Sequence, residues 1–289
     1  MSVPAFWVRP YAGKWSARIM RESIHRMGAE NYFRLWLQKQ KNPLGMAGYA
    51  LSFDLDFESD YRAMPALLDA LQAYDMRAGF AVIGRFVEKY PDIHRRIVNE
   101  GHELLNHTHT HPDNPHWAPD RFFNRLSYAE QKEEIARCHE TIMKTTGYTC
   151  IGFRTPHFGN LHTESVYPIL RELNYVYSSS TSACAVPGFG APYRHETGVW
   201  EIPVGGSLHF PLAVFDSWNM LRKKRPMLAD DAAFVREFAQ TLAVLKSKQR
   251  FLTHYFDPYD IVENGKIEGV LEALKNEGVK TLLYRELSF

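Results

Sequence analysis

At 289 residues, with 45% hydrophobic residues and a formal net charge of +1, the chain can build one large barrel or two small domains and has no global attraction for nucleic acid. Cys138, Cys150 and Cys184 lack CxxC spacing and do not read as a disulfide framework, and no apolar run approaches the roughly 20 residues that a spanning helix needs. The charge is uneven: residues 1–48 hold eight Lys or Arg against Glu22 and Glu30, a local net of +6, so the remainder is net negative.

Residues 1–46 read as a basic N-terminal extension. The stretch WSARIMRESIHRMGAENYFRLWLQKQK predicts a helix through 15–39 that presents Ile19, Ile24, Met27, Tyr32, Leu35 and Trp36 between basic residues. Such a helix can lie in a lipid interface, or it can cap a barrel or make a contact between copies in a homo-oligomer. The first residues lack the continuous apolar core of a signal peptide, so the expectation is a cytoplasmic protein, peripheral on the inner face of a membrane if the helix docks there.

From residue 48 onward, short apolar runs alternate with helix-patterned segments. Strands are predicted at 49–56, 78–84, 103–109, 150–156, 175–180, 199–204, 250–256 and 280–286. Between them, segments such as MPALLDALQAYD, YAEQKEEIARCHETIMKTTG and KIEGVLEALKNEG space their apolar residues at three or four, and several stop at a glycine. This alternation predicts, for residues 47–289, a distorted (β/α) barrel of about seven to eight mostly parallel strands. No glycine-rich nucleotide turn follows the first strand, which disfavours an open dinucleotide-binding sheet.

Residues suited to catalysis fall at the predicted C-terminal strand ends, the face where such barrels carry their sites: Asp54 and Asp56, His107 to His111, Arg154 and His254. In NHTHTHP, an extended chain turns His107, His109 and His111 to one face, whereas a helical turn pairs His107 with His111 and sends His109 away. Two imidazoles and a carboxylate suit zinc or another borderline first-row cation with coordination positions left open. Asp54 and Asp56 stand two apart on a strand, so one can bind metal while the other acts as a base.

These residues resemble the polysaccharide deacetylase (NodB-homology, carbohydrate esterase family 4) superfamily over roughly 48–289. SFDLD resembles its first motif, which implies Asp54 as catalytic base and Asp56 as metal ligand. GHELLNHTHTHP resembles the second, H-[ST]-x-x-H, which implies His107 and His111 as ligands and leaves His109 out. GFRTPHFG resembles the third and implies Arg154 and Pro156 at the groove wall. FLTHYFDP resembles the last and implies Leu252 and His254, the histidine as general acid.

The chain departs from the pattern in three places. Its first motif is D-x-D, His157 stands where an aromatic follows Pro156, and YVYSSSTSAC stands where the fourth motif supplies Asp and Trp. Asp216, Asp257 and Asp260 are candidate substitutes for that Asp. The resemblance implies a zinc-class hydrolase that removes N-acetyl or N-formyl from an amino sugar in a glycan or lipid-linked saccharide. Asp54 would take the water proton, Arg154 would orient Asp54, the His157 N–H would assist the oxyanion, and His254 would protonate the amine. The alternatives are a cyclic-amide (ureide) amidohydrolase of the same superfamily and a catalytically silent metal-retaining binding module. A second segment, FPLAVFDSWNMLRKKRP (210–226), combines apolar residues of exposed type with the run Arg222–Arg225 and joins the N-terminal helix as an expected contact with an anionic membrane surface.

Overall fold

The computed structural model describes residues 14–42, 44–222, 227–228 and 231–287. Among the described residues nine strands form one sheet: β1 (Gly48–Leu55), β2 (Gly79–Val82), β3 (Glu103–Asn106), β4 (Gly152–Phe153), β5 (Tyr177–Ser178), β6 (Tyr193–Arg194), β7 (Trp200–Glu201), β8 (Phe251–Phe256) and β9 (Lys280–Thr281). Their order is β6-β7-β5-β4-β3-β2-β1-β8, with β9 beside β1, and every pairing is parallel except β6 with β7. Eight strands fall where the apolar runs predict them. The short β6 was not predicted, because two residues of a hairpin leave no periodic signal.

The sheet curls so that its far strands approach. A bridge joins Ser182 to Val204, and the Gly205 N–H donates to Thr253 O of β8 at 2.9 Å, which brings the end of β7 against the other edge. The result is a distorted (β/α) barrel. Its helices are α1 (Lys14–Met27), α2 (Ala29–Lys39), α3 (Glu58–Ala73), α4 (Gly84–Lys89), α5 (Pro91–Asn99), α6 (Tyr128–Thr146), α7 (Val166–Glu172), α8 (Asp231–Lys248), α9 (Pro258–Glu263) and α10 (Ile267–Glu277).

All eight residues of β1 are buried, as in a strand covered on both faces. Tyr49, Leu51 and Phe53 face the helices and join the main apolar core, whereas Ala50 packs inside the barrel with Ala81, Leu105, Tyr177 and Tyr284. The same parity sends Ser52 and Asp54 inward, because side chains alternate along a strand. Local sequence fixes the helix ends: Ser127 and Glu130 form a reciprocal cap at the start of α6, and Gly147 ends it in the left-handed region at φ 71°.

The extension is two helices rather than one, because Gly28 breaks it at φ 84°. Phe33, Trp36 and Leu37 of α2 belong to the main core, and Ile24 of α1 packs with Leu212. Arg250 donates to Leu37 O and Gln38 O at the end of α2, while the Gln40 side chain exchanges hydrogen bonds with both backbone groups of Phe251. Trp36 and Ile24 are therefore buried, while Ile19, Met27 and Leu35 stay exposed. In the second segment Leu212, Ala213, Val214 and Phe215 are core residues and Trp218 is the exposed one. Residues 1–13 and Lys223–Arg225 of the basic run lie outside the described residues, among which no helix is long and apolar enough to cross a membrane.

Candidate active site and metal centre

β1 and β3 flank β2 on either side, and this register brings Asp54 and Asp56 towards the loop after β3. That loop is clamped by Asn106, whose amide donates to Ile135 O and Tyr175 Oη while its carbonyl accepts the Thr108 N–H. Thr108 and His111 adopt positive φ, and the Thr108 hydroxyl accepts the His111 N–H. Glu134 of α6 accepts the N–H groups of His109 and Thr110 and the Thr110 hydroxyl. The loop is thus tied down at both ends, and its geometry separates the three histidines.

His107 Nδ1 donates to Arg154 O at 2.8 Å, so its Nε2 keeps the lone pair. That Nε2 lies 3.3 Å from Asp56 Oδ1, and His111 Nε2 lies 3.6 Å from the same oxygen. Asp56 Oδ1, His107 Nε2 and His111 Nε2 are all buried without a hydrogen-bond partner. Ligand atoms of these three residues lie within 4.8 Å of one another, the one such cluster among the described residues. Burial without a partner is costly, and three unsatisfied atoms converging on one point fit a cation held by two nitrogens and an oxygen. His109 turns away: its ring lies against Gly84, where a Cβ would come within 2.3 Å of Nδ1, and its Nε2 is 3.9 Å from Glu88.

Asp54 is buried and takes a 2.5 Å bond from Arg154 Nη1. Arg154, 0% exposed, also donates to Ser52 Oγ, Ser179 O, Ser179 Oγ and Tyr284 Oη, five bonds for the five N–H groups of a guanidinium. Ser179, from the serine run that stands where the fourth motif was expected, therefore helps to orient the arginine, together with Ser52 of β1 and Tyr284 from beyond β9. Asp216, Asp257 and Asp260 are not among these partners of Arg154. Burial raises the Asp54 carboxyl, with Arg154 and His107 opposing. Asp56 also feels burial, but His111 and His107 outweigh it and hold its carboxyl low.

A cavity of about 250 Å³ opens over these groups, lined by Asp54, Asp56, His157, Tyr255 and Asp257 and rimmed by Phe57, Asn160 and Trp218. Pro156 is buried just before His157. His157, with φ at 53°, sets its ring against His111 at 4.8 Å between centroids and its Nε2 3.6 Å from Asp113. Sequence reasoning missed Ser52, Ser179 and Tyr284 as arginine anchors and Phe57, Asn160, Trp218 and Tyr255 as walls. Tyr255 had a signal, as the next residue along β8 from His254.

His254 requires a correction. It points from β8 away from the barrel interior, its ring among Tyr49, Phe215 and Phe238 of the helix-facing core. Its Nδ1 meets Tyr49 Oη at 3.1 Å and its Nε2 meets Gly206 O at 3.1 Å, so both nitrogens are taken. Leu252, two residues earlier, shares that outward face and the main core. Thr253 and Tyr255 are the residues of β8 that face inward, Thr253 bonding Tyr284 and Tyr255 lying 5.2 Å under the Arg154 guanidinium. Neither Leu252 nor His254 lines the cavity.

The family model for polysaccharide deacetylases matches residues 44–178, a span that holds Asp54, Asp56, His107, His111 and Arg154. Residues 44–178 belong to the polysaccharide deacetylase family. A peptidoglycan-N-acetylglucosamine deacetylase of Bacillus cereus is 30% identical over 126 residues, 42% of each chain. A chitooligosaccharide deacetylase of a Bradyrhizobium species is 51% identical over 78 residues, 27% of this chain and 32% of that one. The chain thus matches less than half the length of these curated relatives. A family 4 carbohydrate esterase from Streptomyces lividans shares the fold, with a TM-score of 0.55 at 17% identity over 82% of this chain and 92% of that one.

Proposed function

We propose that this protein is a metal-dependent hydrolase that removes an N-acyl group, N-acetyl first, from an amino sugar in a glycan or lipid-linked saccharide. The observation that carries the reading is the convergence of three unpartnered buried ligand atoms beside a carboxylate locked by a fully bonded arginine, with Asp54 and Asp56 opening on one cavity. The names of the relatives, deacetylases of peptidoglycan and chitooligosaccharide, support the amino-sugar class.

Asp56, His107 and His111 would hold the cation, zinc in the first instance. A divalent cation bound there supplies Lewis acidity, which polarises an acyl carbonyl and lowers the pKa of water to about 7. Asp54 then accepts the proton of the attacking water. Arg154 keeps that carboxylate in place, and burial makes it a stronger base than a solvated aspartate. The His157 N–H, at the cavity wall, is the proposed donor to the developing oxyanion. Trp218, 45% exposed at the rim, offers an apolar face to a sugar ring.

The test is acetate release from N-acetylglucosamine oligomers, peptidoglycan fragments and lipid-linked N-acetyl sugars, before and after chelation and zinc readdition. The expected result is release that chelation abolishes and zinc restores. A protein that binds zinc at the site and hydrolyses none of these would instead be the silent binding module.

A further inference from the structure

A second strand end contributes to the cavity wall beside Asp54 and Asp56. Asp257 is the first residue after β8 and precedes Pro258, the first residue of α9. Counting from Thr253 and Tyr255, it continues the inward parity of that strand, which His254 does not share. Asp257 is 4% exposed, lines the same cavity as Asp54 and Asp56, and is fastened by Ser217, whose hydroxyl donates to Oδ2 and accepts the Asp257 N–H, each at 2.8 Å.

Resting on the deacetylase reading above, we propose that Asp257, in place of His254, is the acid that protonates the leaving amine. The other proton carriers around the cavity are committed. Asp54 is held by Arg154. Asp56 is the ligand carboxylate. Asp216 accepts the Asn219 N–H and side-chain amide, one at each oxygen, and so serves as an acceptor. Tyr255 lies under the guanidinium of Arg154. His157, 39% exposed, sits at the mouth 3.6 Å from Asp113.

Asp257 has the surroundings of a carboxyl that keeps its proton. Asp56 and Asp60 face it from the end of β1 and the start of α3, and Asp260 from its own helix. Arg222, the nearby cation, is 3.3 Å from Asp260. Burial first, then Asp60 and Asp260, raise the Asp257 carboxyl well above the usual range against the Ser217 bond, whereas the charge of Asp56 is offset once a cation sits on it. A carboxylic acid kept neutral in this way can act as a proton donor.

The step balances without another reactant. Water adds to the acyl carbon and gives one proton to Asp54. The C–N bond then breaks as the nitrogen takes the proton of Asp257, leaving a carboxylic acid and a free amine. Asp54 releases its proton to solvent and Asp257 regains one from it, so the net change is amide plus water to acid plus amine.

The test compares an amide with an ester, because a phenolate leaving group departs without protonation. Zinc-loaded Asp257→Asn, with thermal unfolding and metal content checked against wild type, is assayed on chitotetraose and on 4-nitrophenyl acetate. The expected result is acetate release from the amide lowered ~10²–10⁴-fold, with ester hydrolysis held within about threefold. Asp54→Asn loses both activities, which marks the base. Equal losses on both probes by folded Asp257→Asn, or an undiminished amide rate, would overturn the role, as would a selective amide loss in His157→Ala alone. If wild type loaded with zinc hydrolyses neither probe, it is the deacetylase reading that falls, and this role with it.

Discussion

Two histidine sites in this barrel are equally buried and differently finished. At the end of β3, His107 and His111 each direct a ring nitrogen at Asp56 with no hydrogen-bond partner. On β8, His254 has both nitrogens bonded, to Tyr49 and to Gly206 O, and three aromatic rings around it. A buried polar atom that is satisfied belongs to the fold, whereas convergent unsatisfied atoms wait for something that is not protein. Burial pulls His254 down to about 4, so it stays neutral at ordinary pH and keeps its structural bonds. Glu103, at the opposite end of the barrel, belongs with His254: it accepts from the Tyr177 hydroxyl and the Arg285 N–H.

The largest effect that would sharpen this contrast is expected at Asp54. Asp54→Asn should keep bound zinc near wild type while acetate release falls ~10²–10⁴-fold, as for loss of a positioned base. Loss of zinc in that variant, with zinc retained by Asp56→Asn, would exchange their two roles.

Glu103 gives a pH signature free of the metal site. Its carboxyl is pushed from 4.5 up to about 7, chiefly by burial, with Tyr177 and Arg285 opposing. A folded-state value above the unfolded one means that the native protein binds the extra proton. The contribution of Glu103 to stability is therefore full below pH 4.5 and is lost as pH rises towards 7, by roughly 3 kcal/mol. Thermal unfolding followed across that range should show the decline in wild type and a flatter profile in Glu103→Gln. Identical slopes would remove Glu103 from the titration.

A smaller effect is expected at His254, and it addresses the contrast head on. His254→Gln should cost about 1–3 kcal/mol of stability from disturbed buried hydrogen bonds and leave turnover within a few-fold of wild type. A folded variant with collapsed turnover would return His254 to the chemistry.

The strands, the barrel and the pairing of FDLD with NHTHTHP were legible because each rests on a local pattern: apolar runs, helix periods and chemistry-bearing residues at strand ends. The facing of β8 was not legible. FLTHYF is buried along nearly its whole length, so no alternation of apolar and polar residues reports which side is inward. The motif places a histidine in the strand, and only the register with β1 shows which way it points. The anchoring of Arg154 was hidden for another reason: Ser52, Ser179 and Tyr284 are common residue types far apart in the chain, brought together by the curl of the sheet. The break at Gly28 did carry a signal, a glycine within a helical pattern, which the apolar spacing on either side masked.

Metal titration by calorimetry on wild type, His111→Ala and His254→Gln, with folding checked by thermal unfolding, tests the central claim most directly. The account predicts one zinc ion per chain for wild type and for His254→Gln, and loss of that binding in His111→Ala. Stoichiometric binding retained by His111→Ala, or lost in a folded His254→Gln, would contradict it.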